Sequence, residues 1–166
     1  GGAIKDLAAS AVIASPHSET QRMVKLSASR ILKKQQEDKK FLEETAYPIM
    51  RECVKFYLSV MENYNGKWII TPSTSPENSY NGKDGHYIYL SKYTVMSQSI
   101  AEDVFKNLSK AAQILGIDDE LIRTVNERKD HIGIYKKGSE GQLLEYDDEY
   151  EETDIYHRHV SHLYGF

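Results

Sequence analysis

Long apolar runs are missing from this 166-residue chain. No stretch approaches the roughly eighteen consecutive apolar residues of a membrane-spanning helix. The opening GGAIKDLAAS also lacks the basic flank and apolar core of a secretory leader, so no membrane partner is expected. Positive charge is scarce too. Lysine and arginine number 21 against 25 acidic residues, a net charge of −4. The one lysine cluster, KKQQEDKK at 33–40, is broken by Glu37 and Asp38. Such a surface repels phosphate backbones, which argues against a nucleic-acid partner. A single cysteine, Cys53, excludes an internal disulfide, and its place on an apolar helical stripe predicts a buried, inert thiol. The chain also has no Gly-x-Ser-x-Gly elbow, no phosphate-binding glycine loop and no Cys/His dyad motif. It opens without methionine, and the expectation is an excerpt of a longer chain.

What is abundant is tyrosine, with twelve against one tryptophan and four phenylalanines. A phenol offers an apolar face and a hydrogen-bonding tip, which suits half-buried packing and sugar binding alike. Helical periodicity recurs along the chain. Ile4, Leu7, Ala8, Ala11 and Val12 make one stripe, and a second helix is predicted from Ser18, at capping-box spacing from Gln21, to about Gln36. In DKKFLEETAYPIMRECVKFYLSVM, Leu42, Thr45, Ile49, Cys53, Phe56 and Val60 recur every three or four positions. Pro48 interrupts that pattern and predicts a kink near Tyr47, or two helices meeting there. A helix over about 91–115 stops at Gly116, and a shorter one follows, capped by Asp118 or Asp119, with Leu121, Ile122 and Val125 inside. Two β-like runs, KWIIT at 67–71 and HYIYL at 86–90, read as arms of one long excursion. The periodicity then fades into a long ordered loop that feeds another helix start. Helix pairs joined by long loops, without βαβ alternation, make bundles, solenoids or toroids. Loops this long are seldom idle.

Three stretches could carry chemistry. TPSTSPENSY at 71–80 fixes Glu77 between Pro76 and Asn78, which suits a general acid and equally a turn-capping carboxylate. HRHVSH offers His157, Arg158, His159 and His162. They could ligate zinc, recognise sugar hydroxyls or a carboxylate, or simply cap and pack a helix start. The run DDEYEETD has six carboxylates in eight positions but no calcium-loop spacing, and is assigned no chemistry. Glu145 and Tyr146, led in by an apolar pair in GQLLEY, could be delivered to a pocket.

The order of these stretches is more specific than any one of them. YPIM, TPSTSPENSY, GQLLEY and HRHVSHLYGF together resemble the catalytic domain of glycoside hydrolase family 95, α-L-fucosidases acting mainly on α-1,2-linked fucose. The resemblance runs from about Asp38 to Phe166. It implies an all-α fold: part of an (α/α)6 toroid of helical hairpins, with long loops and short β arms, after a helical segment 1–37 of uncertain kinship. It implies inverting hydrolysis of a fucosylated oligosaccharide or glycan, with no cofactor and no required metal. Glu77 matches the family's general acid. Arg158 and His159 match residues lining the fucose pocket, with His157 and Glu145 as neighbours. The chain departs from the family in lacking its Gln-Ile-Asp-Gly-Asn-Phe base motif and its Asn-x-Asn motif. Ser97 stands where the family has aspartate, and Tyr146 where it has tryptophan. The expectation is a piece of such an enzyme. The alternative is a non-catalytic carbohydrate-binding module or a decayed remnant.

Overall fold

A computed structural model describes residues 39–165; the two helices expected before Gln36 lie outside them. The described residues divide into two compact units. One takes residues 39–59 and 101–131, the other 60–100 and 132–165. Among the described residues no helix is long and apolar enough to cross a membrane.

The first unit is helical. A turn of α-helix at Lys39–Phe41 runs into a π-helical stretch, Leu42–Ala46, and then into α1, Tyr47–Ser59. Pro48 accounts for the π stretch. It has no N–H, and its ring crowds the carbonyl four residues back, that of Glu44. The helix accommodates this by widening, so that the Tyr47 N–H donates to Leu42 O, five residues back.

The extra residue in that turn corrects the predicted core stripe. Instead of Thr45, Ile49, Cys53, Phe56 and Val60, the buried positions include Leu42, Ala46, Val54, Tyr57 and Met61, while Phe56 is exposed. From Thr45, Cys53 and Phe56 to Ala46, Val54 and Tyr57 the buried face of the helix has moved on by one, as an inserted residue requires, while Ile49 and Met50 are both half-buried and Met61 already belongs to the strand that follows. Cys53 is only half-buried, yet burial still pushes its thiol up to about 11, consistent with inertness. The insertion is testable. Deleting Glu44 together with Pro48→Ala converts the π turn to regular helix and keeps both flanking faces in register. Deleting Glu52 rotates Val54 and Tyr57 off the core, at about 1.5–3 kcal/mol per buried side chain. Chemical denaturation should therefore show the second deletion to be much the more damaging.

The long helix α2, Val95–Leu115, contributes Ala101, Val104, Phe105, Leu108, Ala111 and Ala112 to this unit's core. It stops at Gly116, whose φ is +71°. There the Ile117 N–H reaches back to Ala112 O at 2.9 Å, the return bond of a glycine-terminated helix. Asp119 caps α3, Glu120–Arg128, by accepting from Ile122 N at 3.0 Å, and pairs with Arg51 at 2.6 Å. The Ile122 N–H and the Arg51 guanidinium hold its carboxyl below the ordinary range, against a smaller opposing effect of burial. Ile122 and Val125 face the core, whereas Leu121 is only half-buried.

The second unit is built from ribbons and loops. Strands β1, Met61–Tyr64, and β2, Lys67–Ile70, form a hairpin. Its turn, Asn65-Gly66, has φ values of +53° and +81°, which a two-residue turn of this hand demands. The 67–71 run therefore pairs with the segment just before it rather than serving as an arm with 86–90. The second run closes a different excursion. Strand β3, Ser73–Thr74, pairs with β6, Leu90–Ser91, and inside that pair β4, Tyr80–Asn81, meets β5, Tyr87–Ile88. Residues from 132 onward return over these ribbons through single bridges, Trp68 with Ile132, Tyr80 with Glu152 and Thr94 with Tyr146. The described chain ends in a 3-10 turn, Ser161–Gly165.

Candidate functional site

The second unit brings most of the residues singled out in the sequence to one loop. Ser75-Pro76-Glu77-Asn78 is a β-turn closed by Asn78 N–H to Ser75 O at 3.3 Å. Proline sits at its second position and a positive φ, +52°, at its third, the pattern of a type II turn. Glycine is the residue that adopts this φ without cost, and an L side chain there costs about 1–2 kcal/mol. Glu77 thus occupies a strained position, and such positions cluster at functional sites. Ser75 and Pro76 are buried beneath it while Glu77 projects outward.

Two anchors hold this turn. On the β3 side, the Ser73 hydroxyl lies 2.9 Å from Thr94 Oγ1 and donates to Ser97 Oγ at 2.8 Å, and Thr94 donates to Ser97 at 3.0 Å. Thr94 and Ser97 sit at the start of α2, so three hydroxyls tie the loop to a helix end. Ser97 meets only neutral partners in this knot, where an aspartate would add a charge. The second anchor is Glu145. Its carboxylate accepts from the Ser75 hydroxyl and, on both oxygens, from Asn78 Nδ2 at 3.2 and 3.1 Å. Beyond the turn, Asn78 Oδ1 accepts from Ser79 N at 2.9 Å, and the Ser79 hydroxyl lies 3.0 Å from Thr153 Oγ1.

The Glu77 carboxylate is met by the HRHVSH block. Arg158 Nη2 donates to Glu77 Oε2, and His159 Nε2 lies 2.7 Å from the same oxygen. Arg158 and Glu77 are largely open to solvent, His159 much less so. The His157 ring stands edge-on to His159, centroids 5.2 Å apart, and its buried Nε2 has no partner among the described residues. His162 lies elsewhere, in the lining of a neighbouring pocket. The three histidines therefore do not converge, and among the described residues no group of three or more His, Cys, Asp or Glu side chains is placed to hold a metal ion.

That pocket, about 360 Å³, is bordered by Asn78, Tyr80, Glu145, Tyr146, Tyr150 and His162 among others. Its aromatic wall is compact. Tyr80 stacks on Tyr150 with centroids 3.9 Å apart, and Tyr146 meets Tyr80 edge-on at 4.9 Å. Desolvation is the first cause that raises each of these phenols above its ordinary range, so all three stay neutral. Tyr150 belongs to the acidic run DDEYEETD, which had been assigned no chemistry; neither the run nor its charge signalled the stacking. Ser75 and Thr94 were equally unforeseen, although the hydroxyl-rich TPSTSP carried the hint.

With this geometry in place, comparison with known proteins gives two findings. Residues 34–166 match the Glycosyl hydrolase family 95 catalytic domain. Alpha-L-fucosidase 2 of Arabidopsis thaliana is 32% identical over 130 residues, covering 77% of this chain and 15% of that relative. The chain therefore spans about 15% of the length of the curated relative it matches.

Proposed function

Because the chain belongs to glycosyl hydrolase family 95, we propose that the whole protein is an inverting α-L-fucosidase and that this stretch supplies its general acid and part of its sugar pocket. Its substrate is α-1,2-linked fucose on an oligosaccharide or glycan. Its helices form part of an (α/α)6 toroid. One observation carries the reading: a glutamate held at positive φ in a doubly anchored turn, with its carboxylate against an arginine and a histidine 81 and 82 residues away.

In the reaction, the Glu77 carboxyl gives its proton to the glycosidic oxygen as the bond from that oxygen to the fucose C1 breaks. Water attacks C1 from the opposite face and loses its proton to a second carboxylate, about 6.5–9.5 Å from the first in inverting enzymes. That base belongs to the family's Gln-Ile-Asp-Gly-Asn-Phe motif, outside this sequence. Both contacts on Glu77 Oε2 impose a condition. Arg158 has only donors, so Oε2 serves as an acceptor and the transferable proton belongs on Oε1. A cation this close favours the ionised carboxyl, so proton donation requires Arg158 to turn its donors to the sugar, which its exposed position allows. His159, backed by the His157 ring, keeps the carboxyl oriented.

Kinetics of the whole protein test the pocket assignment. An α-1,2-fucoside is turned over, and Arg158→Ala raises KM by about 10–100-fold, the worth of one charge-assisted hydrogen bond. Unchanged KM in that variant removes Arg158 from the pocket. Absence of fucoside hydrolysis by the intact protein removes the reading.

A further inference from the structure

We infer that Glu145 is the positioning residue of the general acid: it acts on the leaving group through Glu77, by locking the turn that carries it. This rests on the reading of Glu77 as the proton donor. The two residues whose side chains Glu145 grips, Ser75 and Asn78, are the first and fourth of that turn. Glu77, between them, is the strained member. A left-handed L residue persists only where its surroundings over-determine it, and fixing both ends of a four-residue turn does that. Ser75 is 3% exposed, so its hydroxyl has no water to fall back on when the carboxylate is lost.

Glu145 is itself well fixed. Its carbonyl accepts from Val95 N at 3.0 Å, in the first turn of α2. The next residue, Tyr146, bridges to Thr94 and packs on Tyr80. The carboxylate therefore transmits the position of a helix end to a loop that is also tied to it through Ser73 and Thr74. A general acid gains from this because proton transfer demands hydrogen-bond reach to one oxygen, and a displacement of about 1 Å costs about a hundredfold.

The charge pattern gives the inference its test. Glu145→Gln keeps the shape and one acceptor but turns an amide N–H₂ toward the Asn78 N–H₂, so donor faces donor. Adding Asn78→Asp reverses the pair and restores donor to acceptor. In the whole protein, Glu145→Gln is expected to lower kcat on fucosides with poor, alkoxide-like leaving groups by about 10–100-fold, from a lost charge-assisted bond. It should leave KM nearly unchanged and spare activated aryl fucosides, whose leaving groups need no proton. The double variant recovers most of the loss.

Equal losses on both substrate types, or no loss, or no recovery in the double variant, overturns the positioning role. If Glu145→Gln does not fold, Asn78→Ala, which removes both Asn78–Glu145 bonds and leaves the one from Ser75, is read for the same selectivity. Glu77→Gln separates the two levels. Its leaving-group selectivity with none in Glu145→Gln sinks only the role of Glu145, and its lack of selectivity sinks the general acid and this inference together.

Discussion

Glu77→Gln in the whole protein is expected to lower turnover of natural α-1,2-fucosides by about 10²–10⁴-fold, the range typical of losing a general acid, while fucose affinity stays near that of the parent. The amide matches the carboxylate in size and keeps an acceptor for Arg158, so the turn and pocket should survive. What it lacks is a transferable proton. The alkaline limb of the pH–rate profile, which reports loss of the acid's proton, should disappear with it. Turnover and calorimetric binding measured side by side decide the matter, since near-normal turnover would reassign Glu77 to the structure of the loop. Glu77→Gly sharpens the contrast. Glycine relieves the +52° strain, worth about 1 kcal/mol, so stability should hold or rise while turnover falls as in the glutamine variant.

Local rules carried the sequence reading as far as local chemistry reached. Gly116 ended α2, Asp119 capped α3, and Pro76 announced a rigid turn around Glu77, because glycine, caps and proline act on their nearest neighbours. The stripe after Leu42 slipped by one for a reason also present in the sequence. Pro48 was read as a kink, yet a helix relieves the same crowding by widening one turn, and the side chains downstream then change face. Met61 closes the predicted helical segment and residues 62–64 carry no predicted element, although Asn65-Gly66 beside them is a hairpin signal.

The site was legible as residues and not as a circuit. Glu77, Arg158, His159, His157 and Glu145 were each named, but the contacts that join Glu77 to Arg158 and His159, and Glu145 to Ser75 and Asn78 of the turn, span 67 to 82 residues. Nothing local says that Glu145 grips the turn rather than the solvent. The family resemblance supplied which residues belong together, and packing decides which touches which.

The same packing gives Tyr146 a large part in the stability of the second unit. It is 7% exposed and lies edge-on to Tyr80 at 4.9 Å and to Tyr150 at 6.2 Å. Tyr146→Ala empties that space and should cost about 3–5 kcal/mol, a large share of the 5–15 kcal/mol or so that holds a domain folded. It also loosens the residue beside Glu145, so turnover should fall with stability. Tyr146→Phe should do the opposite. The buried hydroxyl has no partner among the described residues, and leaving it so costs about 1–3 kcal/mol that phenylalanine does not incur. Alkaline titration adds a sign. Burial raises the phenol above its ordinary 10.0, so above that pH the unfolded chain sheds a proton that the folded chain keeps, and stability falls as pH rises. Tyr146→Phe should lose less over that window than the parent. Urea unfolding at neutral pH and above pH 10 reads both effects, and a phenylalanine variant weaker than the parent would show that the hydroxyl is bonded after all.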